Sequence, residues 1–269
     1  MPSSSISHFA EDRKQGGTVL LHALSAGHFT LPEEQPQERY PDVVKSLKRG
    51  GLTADDIDYV MYSHVHWDHV GEPRDFLHSK FIVGNGSLDL LSGNSASLRG
   101  GHSFFEADLL DPLRTIELSS PDSEGHAGSG HGDPESGLNL AGPWKPLGNL
   151  PRTIDLFRDG SLYIVDAPGH LPGHINLLAR TETGDGGQKW VYLAGDACHD
   201  RRILRKERGI GKWMDAQKHV CCIHADPAKA EETIDRIRAL ENDGVEVILA
   251  HDIDWESDKN NWQRFFGAS

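Results

Sequence analysis

Hydrophobic positions along the chain fall into short blocks separated by glycine, proline and polar turns. Residues 18–24 (TVLLHAL) predict a short buried strand. Residues 40–49 place Val43, Val44 and Leu47 on one helical face, and Gly50-Gly51 closes that helix. Residues 57–62 and 80–83 predict two strands, the first running directly into Ser63-His64. Further on, residues 153–157, 162–166, 175–179 and 190–194 are strand candidates, and Gly160 turns the first pair into a hairpin. Asp226-Pro227 has the chemistry of a helix start, aspartate as N-cap and proline in the first turn. Ala230, Ile234, Ile237 and Leu240 then share one apolar face until Gly244. Residues 245–250 predict a buried strand that ends at His251-Asp252. No short-period repeat occurs, and the mixed order of strands and helices predicts an α/β chain.

Residues 119–150 break this rhythm. They are rich in Gly, Ser and Pro, with little periodicity, and predict a long surface loop. The expected organisation is a flexible segment over residues 1–17, followed by one domain over 18–269 that carries this loop as an insertion. The 269-residue length allows a single large domain, and 37% hydrophobic residues suffice for a sizeable core. No apolar run is long enough for a membrane span, and the first residues lack the pattern of a secretory signal.

Charge and sulfur content narrow the chemistry. The formal net charge is −14, which repels phosphate backbones and argues against nucleic-acid binding. Three cysteines, Cys198, Cys221 and Cys222, form no disulfide framework and fit a reducing, cytoplasmic setting. Sixteen histidines point to imidazole and carboxylate, not thiolate, as ligands for any bound metal.

The decisive segment is His64-Val65-His66-Trp67-Asp68-His69, followed by Val70-Gly71. In extended backbone, residues two apart point to the same side, so His64 and His66 can converge on one ion. The chain then turns, and Asp68 and His69 can address a second. This HVHWDHVG run resembles the HxHxDH signature of the metallo-β-lactamase superfamily. Three further segments resemble that superfamily's landmarks in order: Ala167-Pro168-Gly169-His170-Leu171-Pro172-Gly173-His174, Leu193-Ala194-Gly195-Asp196-Ala197, and Leu249-Ala250-His251-Asp252. The resemblance implies a four-layer αββα sandwich and two divalent metal ions per chain, zinc being the expected metal. One ion would be held by His64, His66 and His174, the other by Asp68, His69 and His251, with Asp196 bridging. His170 is expected in a turn beside the site, and Asp166 and Asp252 as carboxylates that orient the ligands.

The nearest likeness is to the quorum-quenching branch that opens N-acyl homoserine lactones. The implied reaction is the opening of a small cyclic ester by a metal-bridging hydroxide that attacks the ring carbonyl, with Asp68 handling the proton. Hydrolysis of a lactam or cyclic carbamate is the alternative; a thioester hydrolase and a mononuclear iron persulfide oxygenase rank below it. Only 18 residues follow His251, so no glutathione-binding helical domain of the glyoxalase II type is expected. His66 stands where the flavodiiron branch has glutamate, which favours hydrolysis over redox chemistry. Two departures shift the expected substrate. His199 occupies the position of the lactonases' substrate-binding tyrosine, three residues after Asp196, and is assigned a catalytic contact with the substrate. Near the entry strands the chain reads Leu21-His22-Ala23-Leu24-Ser25-Ala26-Gly27 in place of an Asp-x-Gly turn.

The remaining side chains have plainer readings. His126 and His131 are solvated loop residues. His219 and His224 flank a small buried stretch around Cys221-Cys222. Trp67, Trp144 and Trp213 wall a cleft or pack in the core. The basic run from Arg201 to Lys206 is a solvated helix face. The expected partners are a small cyclic substrate and a second copy in a homodimer, with no nucleic acid and no membrane.

Overall fold

A computed structural model describes residues 17–24, 42–93, 98, 105–122 and 137–267. Two sheets carry the architecture. The first is parallel, in the order β1 (Tyr59–Met61), β2 (Lys80–Val83), β3 (Thr115–Glu117). The second has six strands in the order β11-β8-β7-β6-β5-β4. In chain order these are β4 (Lys145–Leu147), β5 (Leu150–Asp155), β6 (Leu162–Asp166), β7 (Ile175–Glu182), β8 (Gln188–Leu193) and β11 (Glu246–Ile248). They pair antiparallel from β4 to β8, and β11 closes the edge parallel to β8. A separate hairpin joins β9 (Lys212–Met214) and β10 (Val220–Cys222).

Side-chain alternation along the strands sorts the core into layers. Along β2, Phe81 and Val83 pack with Leu47 of helix α1 (Val43–Arg49), with Val70 of α2 (Trp67–Val70), and with Leu90 of α3 (Ser87–Leu91). Ile82 points the other way and meets Ile154, Ile164 and Ile175 between the sheets. Along β6, Ile164 faces this middle layer. Val165 faces the far side, where Ile234, Ile237 and Leu240 of α5 (Pro227–Asn242) cover the six-stranded sheet. The four layers are therefore helix, sheet, sheet, helix, an αββα sandwich. The remaining short helices are α4 (Arg201–Leu204) and α6 (Ile253–Ser257).

Local chemistry explains the element ends. Asp42 caps α1 by accepting the Lys45 N–H at 2.7 Å, and Asp226 caps α5 by accepting the Lys229 N–H at 3.1 Å. Among the described residues no helix is long and apolar enough to cross a membrane.

Several expected elements differ. Residues 18–24 form no strand: Leu20 is 81% exposed, and Ala23 alone makes a bridge, to Phe265. The expected loop over 119–150 contains β4 and the start of β5, because Leu150 turns inward and is buried; its centre, residues 123–136, lies outside the described residues, as do residues 1–16. β3 has only three residues and gave no periodic signal. Around Cys221-Cys222, Cys221 is buried but Val220 is exposed, so the stretch is one strand of a surface hairpin.

Ile237 is fully buried on the sheet-facing side of α5. Ile237→Ala should cost about 2–5 kcal/mol in chemical denaturation, whereas Leu113→Ala, at a 94% exposed position, should stay within about 0.5 kcal/mol.

Candidate metal centre

Four strand ends deliver the polar cluster. After β1 the backbone stays extended through His66, with φ −66° and ψ 150°, before α2 begins. His64 and His66 therefore fall on one side, His64 Nε2 lying 2.9 Å from His66 Nδ1, while Val65 points away into the outer core. The first turn of α2 brings round Asp68 and His69, and the His69 ring lies 4.1 Å from that of His64. Gly71 ends this helix with φ +57°.

The second segment follows β6. Gly169 sits at φ +125°, and a Cβ there would come within 2.3 Å of the Ala230 backbone nitrogen. Only glycine lets this loop press against the start of α5. The Ala225 N–H donates to the His170 carbonyl and the Asp226 N–H to the Gly169 carbonyl, fixing the loop. His170 Nε2 then lies 3.0 Å from His66 Nδ1 and 3.5 Å from Asp196 Oδ2. His174 does not join the cluster. Its Nδ1–H donates to the Ala167 carbonyl at 3.0 Å, and its Nε2 accepts the Asp196 N–H at 3.1 Å. Both ring nitrogens are thus committed to backbone, and His174 is a strut beneath Asp196. His174 was the residue expected at the ion and His170 the one expected in a turn; in the folded loop it is the His170 ring that lies among His64, His66 and Asp196.

Asp196, 4% exposed in its side chain, is the hub. Its Oδ2 lies 3.0 Å from His199 Nε2, 3.2 Å from His69, 3.5 Å from His170 and 3.8 Å from His64. Its Oδ1 lies 3.3 Å from His251 Nε2, which is also 3.7 Å from Asp68 Oδ2. Potential ligand atoms cluster within 4.8 Å in three overlapping groups: His64, His66, His170 and Asp196; Asp68, His69 and His251; and Asp196, His199 and His251. His69 Nε2 and Asp196 Oδ1 are buried without an aligned hydrogen-bond partner. Neutral imidazole nitrogens and carboxylate oxygens aimed at common points are a donor set that fits divalent cations.

Electrostatics agree with that donor set. Burial holds His64 and His170 well below the ordinary imidazole range, helped by neighbouring rings, and brings His174 to about 3. Burial alone would raise Asp196; the facing His199, His251 and His69 rings outweigh it and hold the carboxyl well below its ordinary range. Hydrogen bonding to Asp196 raises His251. The buried rings are therefore in the neutral form that metals require.

The cluster opens into a cleft of about 1060 Å³, walled by Trp67, Trp213, Ile223, Ile253, Trp255 and Phe265. Trp144 instead donates its indole N–H to the Ser119 carbonyl and packs on the middle core. His199 lines the cleft, stacked on His251 at 5.6 Å. His224, given no role from the sequence, is buried with its ring 5.3 Å from His170 and 5.5 Å from His199. Its one signal was its place two residues before the Asp226 helix cap. Asp166 pairs with Arg152 rather than with a ligand, whereas Asp252 adjoins His251 and pairs with Arg201. His126 and His131 lie outside the described residues.

A family model described as the metallo-beta-lactamase superfamily matches residues 11–84, which include the His64–His69 run. Over that stretch the chain is similar to the metallo-β-lactamase superfamily. Its sandwich aligns with a crystal structure of Bacillus thuringiensis AiiA with N-decanoyl-L-homoserine bound, at TM-score 0.51 and 23% identity, over 82% of this chain and 66% of that one. Among curated relatives, the metallo-hydrolase mfmC of Annulohypoxylon moriforme is 34% identical over 162 residues, 58% of this chain and 34% of that protein. The gamma-lactamase MBL2 of Gibberella moniliformis is 29% identical over 159 residues, 59% of this chain and 56% of that protein. The chain spans from about a quarter to just over half the length of the first curated relatives it matches.

The neutral rings have a pH consequence. A histidine whose folded pKa lies below the ordinary 6.5 binds fewer protons folded than unfolded between those values, so stability falls as pH drops through that window. Metal-free protein should lose denaturant resistance progressively from about pH 6.5 towards pH 3; a flat profile between pH 7.5 and 5 would contradict the buried neutral cluster.

Proposed function

We propose that the chain is a dinuclear metal-dependent hydrolase that opens a small cyclic ester. The observation that carries the reading is Asp196, a buried carboxylate within 3.8 Å of the side chains of His64, His69, His170, His199 and His251. His64, His66 and His170 would hold one ion and Asp68, His69 and His251 the other, with Asp196 shared; zinc suits this nitrogen and oxygen set. When bound, such a pair of cations supplies an acidified water and a Lewis acid for the carbonyl.

The chain's own groups do the rest. Asp68, whose Oδ2 lies 3.7 Å from both His69 Nε2 and His251 Nε2, would take the proton of the attacking water and return it to the leaving atom. His199, which lines the cleft beside Asp196, is the donor proposed for the substrate carbonyl oxygen once its Nε2–H turns from Asp196 Oδ2. The water oxygen bonds to the carbonyl carbon, the ring carbon–oxygen bond breaks, and the proton passes to the ring oxygen, leaving a hydroxy acid. The apolar walls suit an uncharged ring with an apolar substituent. The lactonase likeness of the fold supports an ester. The gamma-lactamase relative supports a second reading, a lactam opened by the same groups.

Ion content tests the ligand set. Wild-type protein should bind two zinc ions, and His170→Ala should lose one. His174→Gln should keep both at lower stability; loss of an ion there with retention in His170→Ala would reverse the assignment.

A hydrolysis screen tests the reaction. Lactones, lactams and cyclic carbamates offered to zinc-loaded protein should include a lactone that gains one water, and Asp196→Asn should abolish that turnover. His199→Phe should slow it roughly 10²-fold with ion content unchanged. Unaltered kinetics would remove His199 from the reaction.

A further inference from the structure

Of the side chains proposed to hold ions, His251 is the least confined. Its side chain is 44% exposed, against 19% or less for His64, Asp68, His69 and Asp196. β11 supplies only three residues before it, and α6 starts two residues after it. Packing of regular structure therefore does little to set the ring.

The next residue, Asp252, is held firmly. Its side chain is only 4% exposed, although a carboxylate. Oδ1 accepts the Trp255 N–H at 3.1 Å, which caps α6. Oδ2 meets Arg201 Nη2 at 2.5 Å. The same Nη2 donates to the Val247 carbonyl of β11 at 2.8 Å, and Nη1 donates to Glu241 Oε1 of α5 at 3.0 Å. One planar fork thus ties together the strand before His251, the residue after it, and α5. Arg201 also lies two residues after His199, so the fork joins the two segments whose rings stack on each other in the cleft. At its other end α5 holds the His170 loop through Ala225, Asp226 and the Thr233 hydroxyl, which donates to the Pro168 carbonyl at 2.8 Å. The basic run read as a solvated helix face therefore contains one arginine turned into the protein, 21% exposed in its side chain.

We propose that Arg201 is a positioning residue. By gripping Asp252 and the Val247 carbonyl it sets the His251 ring, and so the affinity of the Asp68–His69–His251 ion site. The inference rests on the ion-binding reading above. Orientation, not charge balance, is the role. Lysine has a cation but no planar fork, and cannot donate to Glu241 and the Val247 carbonyl in fixed directions while pairing with Asp252. Removing both charges at once does not restore the geometry.

Metal-free wild type, Arg201→Met, Arg201→Lys, Asp252→Asn and the Arg201→Met/Asp252→Asn double variant are titrated with Zn²⁺ against a chromophoric chelator, with Co²⁺ absorption reporting the coordination of each ion. Thermal unfolding checks the fold. Wild type takes up two ions. Arg201→Met keeps the affinity of the tighter ion within about twofold and weakens the other roughly tenfold to a hundredfold. Arg201→Lys recovers little of the loss, and the double variant stays as weak as Arg201→Met. Equal weakening of both ions, no weakening, or recovery in the double variant overturns the assignment. Should Arg201→Met fail to fold, Asp252→Asn carries the same expectation for the weaker ion. A wild type that binds fewer than two ions overturns the ion-binding reading together with this one; a two-ion wild type with an unaffected Arg201→Met overturns the role of Arg201 alone.

Discussion

A carboxylate removed from water is tolerated only where opposite charge or several donors surround it, and Asp196 is such a group. Its side chain is 4% exposed, and imidazoles from all four ligand-bearing segments approach it. The rest of the centre follows from satisfying this one charge. His199 donates to it from its own segment, and His174 accepts its backbone N–H from below. The rings of His64 and His170 are themselves buried and neutral, so they offer lone pairs more readily than positive charge. A buried anion ringed by neutral donors is an arrangement that divalent cations complete.

The scaffold brings this cluster together by ending strands of two sheets at one edge. β1 belongs to the parallel sheet; β6, β8 and β11 belong to the larger one. The sheets are joined beside the cluster, where the Ile175 N–H donates to the Ser63 carbonyl at 2.8 Å, and within the larger sheet the Ala250 N–H donates to the Gly195 carbonyl at 3.1 Å. Gly195 lies at φ +46°, and a Cβ there would come within 2.9 Å of His174 Nε2. Glycine is needed at that corner because imidazole and backbone occupy the space. Ligands borne on strand ends and braced in this way keep their geometry while one side stays open to the cleft.

Bracing differs across the centre. His64, His66 and His170 are enclosed by the outer core and by the start of α5. His251 sits at the rim, and the ionic fork of Arg201 with Asp252 and Glu241 supplies there what packing supplies elsewhere. The rim position puts His251 beside the cleft, among its aromatic and aliphatic walls.

Local chemistry made much of this legible from residue order alone. The i, i+2 spacing of His64 and His66 after an apolar strand, the Asp226-Pro227 helix start and the apolar face through Ile237 are short-range signals, and the structure has all three where local rules put them. The αββα layering followed from the order of the resembling motifs. Distinctions of direction were not legible. His170 and His174 have equivalent local surroundings in sequence, and what separates them is the press of Gly169 against Ala230 and the backbone partners that claim both nitrogens of His174. Arg201 reads as one of several surface cations until Asp252 and Glu241, 51 and 40 residues further on, fold beside it. Hydrophobic period and turn chemistry act within a few residues, so the sequence by itself determined the short elements and the runs that carry the histidines and aspartates. Which of them face one another is set by contacts between segments far apart in the chain, and only the tertiary structure decided it.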